Sequence, residues 1–148
     1  MNDIAYSTVD LSSFLTFGDG CGSAPTGGYQ SPVGSPSIGN SSFAVDLLGG
    51  QPSAPAIFVF GASRTMFAGG LLPLRLDFVG MTGCSLYTDV IVTAGLGLDG
   101  SGGARLPLPI PGVNRVRGQH FTTQWFWIDP AANPASVAAS DGGEIIVR

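Results

Sequence analysis

The sequence predicts an all-β domain, an antiparallel β-sandwich of jelly-roll type with eight or nine short strands and almost no helix. Three observations carry this. Apolar and polar residues alternate in short runs along most of the chain, the period of a strand with one buried face. Twenty-three glycines and 11 prolines are scattered through 148 residues without a repeat, which suits frequent turns. No run of about 12 residues keeps helical apolar spacing free of Gly or Pro. Without helical crossovers to join parallel neighbours, the strands must pair antiparallel in two packed sheets or a closed barrel, and the sandwich is favoured.

Residues 1–16 read as an N-terminal extension or arm and 17–148 as one sandwich domain. "IAYSTV" (4–9) is a candidate first strand, and with it the count is eight or nine. The clearest alternation is "SSFAVDLL" (41–48), with Phe43, Val45 and Leu47 on the core side and Ser42, Ala44 and Asp46 opposite. "AIFVFGA" (56–62) is apolar on both faces and is expected mid-sheet, covered on each side and ending at Gly61. "LPLRLDFVG" (72–80) alternates around Pro73 and reads as an edge strand, because proline cannot donate to a ladder. "CSLYTDVIVTAG" (84–95) gives two short strands or one bent one. In "ARLPLPIPG" (104–112) Leu106, Leu108 and Ile110 alternate with prolines that discourage edge pairing. "GQHFTTQWFWID" (118–129) is the longest β-like run, with Phe121, Thr123, Trp125 and Trp127 on one side and Thr122, Gln124, Phe126 and Ile128 on the other. "GGEIIVR" (142–148) closes the set. Residues 18–40 fit no alternating pattern and are expected as a long Gly/Ser/Pro coil, functional or pinned.

Composition excludes several classes. Hydrophobic residues are 44% and charged residues only 11% of the chain, so disorder is disfavoured and a single domain with a substantial core is expected. All six basic residues are arginine against nine aspartates and one glutamate, and the net charge is −4. That offers no basic stripe for nucleic acid, and Arg115 with Arg117, the densest basic pair, reads as solvated loop. No stretch approaches the ~18 apolar residues of a spanning helix. The N-terminus lacks the basic start and apolar middle of a secretion signal, although a removed leader would leave the same sequence.

The two cysteines pose the sharpest question. Cys21 sits in the glycine-rich "FGDGCGSAPTGG", and Cys84 follows "MTG" at a strand start. A bond between them would tie coil to sheet and, by the entropy of closing a loop of 60-odd residues, stabilise by about 4 kcal/mol. The competing readings are two inert thiols, or a reactive cysteine with His120, the single histidine. A bond would imply an oxidising compartment. Two cysteines and one histidine cannot build a structural zinc tetrad.

Chemistry is otherwise sparse. His120 with Asp129 or Asp141 and a serine would make a triad, but no Gly-x-Ser-x-Gly elbow is present. Paired carboxylates for glycoside hydrolysis lack a candidate, since Glu144 is the only glutamate. "GLDGSGG" (97–103) has one carboxylate where a calcium loop needs several oxygens; Asp19, Asp99 and Asp129 are the acids that could contribute, and turn-capping is the simpler reading. The most suggestive binding feature is "HFTTQWFW": Trp125, Trp127 and Phe126 could stack on sugar rings if exposed. No catalytic residue, metal site or cofactor is expected.

"FGDGC", "PSIGNSSFAVDLLGGQPSAPAIFVFGAS", "LLPLRLDFVGMTGCSLYTD", "ARLPLPIPG" and "FTTQWFWIDPAANP", taken in that order, resemble a poorly characterised module found near the C-termini of many secreted bacterial proteins. The likeness covers 17–134, departing at Ile38 and in the extension 1–16. It implies an extracellular β-sandwich in which Cys21 pairs with Cys84, and it carries over no catalytic residue. The resulting expectation is a secreted or cell-surface, non-catalytic module with a structural, adhesive or self-assembling role, copies meeting through residues 1–16. The alternative is carbohydrate binding through the aromatics of 121–127. Neither nucleic acid nor membrane insertion is expected.

Overall fold

The computed structural model describes residues 13–148. Among these, thirteen strand segments follow in chain order: β1 (Phe14–Phe17), β2 (Tyr29–Val33), β3 (Ala44–Leu48), β4 (Pro55–Gly61), β5 (Met66–Phe67), β6 (Gly70–Leu71), β7 (Leu74–Arg75), β8 (Ser85–Leu86), β9 (Val92–Gly97), β10 (Ala104–Pro107), β11 (His120–Ile128), β12 (Val137–Ala139) and β13 (Gly142–Ile146). Helix among the described residues is confined to two 3-10 turns, Asp77–Val79 and Asn114–Val116. The expected strand at 4–9 lies outside the described residues. The boundary drawn at 16/17 falls inside β1, which pairs with β13, so residues 14–16 belong to the sheet.

Every pairing among the described residues is antiparallel. The larger sheet runs β1-β13-β11-β4-β9, and the smaller runs β10-β3-β2. As expected, 56–61 is an inner strand, with β11 on one side and β9 on the other, although Ile57 leaves its outer face 44% exposed. The run 84–95 splits into β8 and β9, the first of the two forms anticipated. β12, which the sequence did not suggest, lies along the same edge of β11 as β13. Ser140 sits between them, and its hydroxyl accepts the Trp125 N–H at 3.0 Å while its own N–H donates to the Trp125 carbonyl at 2.9 Å. The side chain thus replaces a backbone acceptor where the edge kinks.

The two sheets face each other across a core to which the smaller contributes Phe43, Val45 and Leu47 and the larger Phe58, Trp125, Trp127 and Ile145. All seven are 0–2% exposed, and each contributes roughly 1.5–3 kcal/mol by leaving water. Phe58 meets Trp125 edge-on with ring centroids 4.9 Å apart. The alternation of 41–48 therefore gave the core face correctly.

A second apolar cluster, Leu72, Leu76, Met81, Leu86 and Ala139, surrounds Cys84, and Cys21 packs against both clusters. The two cysteines form a disulfide with Cα atoms 5.2 Å apart. It is not the coil's sole anchor. The Cys21 N–H donates to the Ala139 carbonyl at 2.9 Å, Asp19 exchanges hydrogen bonds with the Tyr87 hydroxyl, and Ser23 donates through both N–H and hydroxyl to Asp129. Residues 29–33 of the expected coil form β2, paired with β3. Glycine fills this segment because the chain lies directly on aromatic rings: a Cβ on Gly18 would overlap Tyr87 and one on Gly28 would overlap Trp127, and both backbones have positive φ.

The expected edge strand 72–80 is not one. Only Leu74–Arg75 pair, with β8, and the chain then turns. Asp77 accepts the Gly83 N–H at 2.8 Å and the Arg75 guanidinium at 2.7 Å, and Gly80 closes the turn with φ 85°. A side-chain acceptor close in sequence outcompetes the ladder there. Leu72 and Leu76 still point inward, whereas Phe78 is 74% exposed.

Replacing both cysteines, Cys21→Ser with Cys84→Ser, is expected to cost about 4 kcal/mol in urea unfolding. Gly28→Ala, which adds a methyl against Trp127 in left-handed backbone, is expected to cost roughly 2 kcal/mol or more by the same measurement.

Candidate functional site

The aromatic strand β11 was the leading binding feature of the sequence, and the structure turns its tryptophans inward. Trp125 is 0% and Trp127 1% exposed, so neither offers a face to a sugar ring. The cause is layering: β11 has neighbours on both edges, the smaller sheet covers Trp125, and the Gly22–Gly28 stretch of coil lies across Trp127. Phe126, on the opposite face, is half-buried against Val137 and the disulfide cluster. Both indole N–H groups are buried and have no partner atom among the described residues.

The acids are dispersed among separate structural tasks. Asp99 accepts hydrogen bonds from Gly103 and Ser101, which hold its carboxyl below the usual range, and so caps the turn in "GLDGSGG". Asp129 receives Ser23, and Asp19 engages Tyr87 through its backbone. Among the described residues no three His, Cys, Asp or Glu side chains gather in a metal-binding group. His120 finds neither Asp129 nor Asp141 as its partner: its Nδ1 lies 3.0 Å from Glu144, which also receives Arg64 at 3.1 Å. Burial opposes ionisation of Glu144, but these two hydrogen bonds prevail and keep its carboxyl below the ordinary range.

One polar network the sequence did not reveal is buried. Gln30 of β2 donates its N–H to the Asp141 carboxylate at 3.1 Å and its amide to the carbonyls of Thr123 and Asp141, while Thr123 donates to Gln30 Oε1 at 2.7 Å. Asp141 is 7% exposed, and burial, aided by the charge of Asp19, pushes its carboxyl up to about 7 despite the hydrogen bonds from Gln30. The network joins the smaller sheet to the kink beside β13. The sequence carried no signal for it, since 18–40 shows no alternation and the one buried residue of "YQSPV" is the polar Gln30.

The surface that remains for a partner is the β9 edge. Among the described residues β9 pairs only with β4, and its sequence "VTAGLG" contains neither charge nor proline. Val90 and Ile91 lead into it and Val92 opens it, and the three are 41%, 59% and 57% exposed. On the facing sheet the outer strand is β10, which ends at Pro107 and is followed by Pro109 and Pro111. Between these two edges the sandwich is open. A cleft of about 350 Å³ there is floored by Phe58 and Phe60 and walled by Val92, Ala94, Leu106 and Leu108. A neighbouring one of about 310 Å³ shares Phe60 and Leu108 and extends under Phe121 and Val147. Phe60 stacks on Phe121 with centroids 5.1 Å apart, which fixes the shared floor. A free edge beside an apolar slot can accept an extended segment, with backbone hydrogen bonds on one side and side-chain burial on the other.

No family model matches the chain, nor does any curated protein or solved structure. Among the described residues no helix is long and apolar enough to cross a membrane.

The raised Asp141 carboxyl makes stability pH-dependent with a definite sign. The neutral acid is favoured in the folded state, so its contribution is full below the unfolded value near 4 and is lost as pH rises through about 7. Asp141→Asn, which keeps the acceptor for Gln30, is expected to flatten urea stability between pH 5 and 8. Relative to it, the unsubstituted chain should fall by roughly 2–3 kcal/mol, allowing for solvent screening.

Proposed function

We propose that the chain is a non-catalytic, extracellular surface module that works by association, in a structural, adhesive or self-assembling role. The observation that carries this reading is the β9 edge: six residues without charge or proline, unpaired on their outer side among the described residues, opening on the exposed Val92 and adjoining the exposed Val90 and Ile91. Sandwich proteins normally blunt such an edge with lysine, proline or a covering loop. β10 carries its prolines, and β9 carries none of these devices.

Placement outside the reducing cell rests on the Cys21–Cys84 disulfide, which a cytosolic glutathione pool would work against, and on the resemblance to C-terminal modules of secreted bacterial proteins. Carbohydrate recognition by the 121–127 strand lacks its main support, because Trp125 and Trp127 are sealed in the core.

Light scattering of the chain across a concentration series is expected to give a mass that rises above the 15.1 kDa monomer, with rings or fibres under the electron microscope. A constant monomer mass throughout would leave self-assembly without foundation.

A further inference from the structure

We propose that the β9 edge and its cleft take residues 4–9 of a second copy, added as an extra antiparallel or parallel strand of the larger sheet. This rests on the self-assembly reading above and identifies both partners in the contact. The donor segment "IAYSTV" places Ile4, Tyr6 and Thr8 on one face and Ala5, Ser7 and Val9 on the other. The first face supplies bulk for a slot floored by Phe58 and Phe60; the second is small. Donor and acceptor match in length, six residues each, and in charge, for neither carries any. Asp3 and Asp10 stand just beyond the donor's ends, where they stay in water.

Geometry selects a second copy over the chain's own arm. The arm leaves from Ser13, which is 2% exposed and whose carbonyl accepts the Ile146 N–H at 2.8 Å, so its root is fixed beside β13 at the β1 edge. β1 and β9 are opposite edges of the order β1-β13-β11-β4-β9, four strand spacings or about 19 Å apart. From Ser13 back to Val9 is four residues, about 14 Å at full extension. Segment 4–9 therefore cannot lie along its own β9, while nothing limits its reach to a neighbour's. The contact joins one end of a copy to the other end of the next, a heterologous arrangement that propagates into rings or open filaments.

Three measurements decide the matter together: scattering mass of the full chain, scattering mass of the chain lacking 1–12, and anisotropy of a labelled synthetic peptide of residues 1–12 titrated with the truncated chain. The proposal expects assembly of the full chain, a monomeric truncated chain, and saturable peptide binding. Val92→Asp in the acceptor should weaken that binding roughly tenfold or more by placing a charge at the slot. Gly95→Asp, where an added Cβ meets nothing within 4 Å, repeats the test at a second edge position should the first variant prove unstable. Assembly that survives truncation would overturn the donor assignment while leaving self-assembly standing. Peptide binding to the truncated chain with a monomeric full chain would mean that the arm occupies its own domain, against the reach argument. A monomeric full chain that binds no peptide would remove both readings.

Discussion

Contact between a glycine-laden backbone and two buried rings governs the way this domain is closed. Trp127 and Tyr87 face a stretch of coil in which Gly18, Gly22 and Gly28 leave no room for a side chain. The rings thereby gain a lid of main chain only. Such a lid is costly in conformational entropy, since glycine gives up more freedom on ordering than any other residue. The offset comes from outside the lid: the Cys21–Cys84 bond, the Ser23–Asp129 pair and the Asp19–Tyr87 exchange hold it at three points. The disulfide has a second role as the seam between the inter-sheet core and the cluster around Leu72 and Met81.

Much of the architecture was legible because it follows from burial on one face of a strand. The alternation at Phe43, Val45 and Leu47 and the both-sided bulk of 120–128 report directly on which side of a sheet is dry. What was missed depends on side chains that do backbone work. Asp77 turns 72–80 away from a ladder, Ser140 splits one edge of β11 into β12 and β13, and Gln30 stands in a core where an apolar residue would have announced a strand. A residue's hydrophobicity carries no trace of such roles. The tryptophans mark the other limit. The pattern assigned Trp125 and Trp127 to one face of β11, but whether that face met solvent or a second sheet depended on strands distant in sequence.

The functional reading turns on asymmetry between edges. β10 is protected by the prolines that follow it, β1 is four residues long, and β9 is longer and unprotected. Uncharged exposed edges are liabilities in a protein meant to remain alone, so one left bare opposite an apolar slot has the form of an acceptor. The buried Gln30–Asp141 network at the other end of the smaller sheet makes the domain sensitive to pH without bearing on that edge.

The position of β13 has a consequence for how the molecule is made. This strand, the last along the described chain, is interior to the larger sheet, hydrogen-bonded to β1 on one side and β11 on the other. A nascent chain emerging amino end first therefore holds Phe14–Phe17 without its partner β13 until residues 142–146 have appeared. The β1 side of the sheet is closed by this late segment, and ribosomal stalling or proteolytic trimming before Gly142 would release a polypeptide in which β1 has no strand joining it to β11.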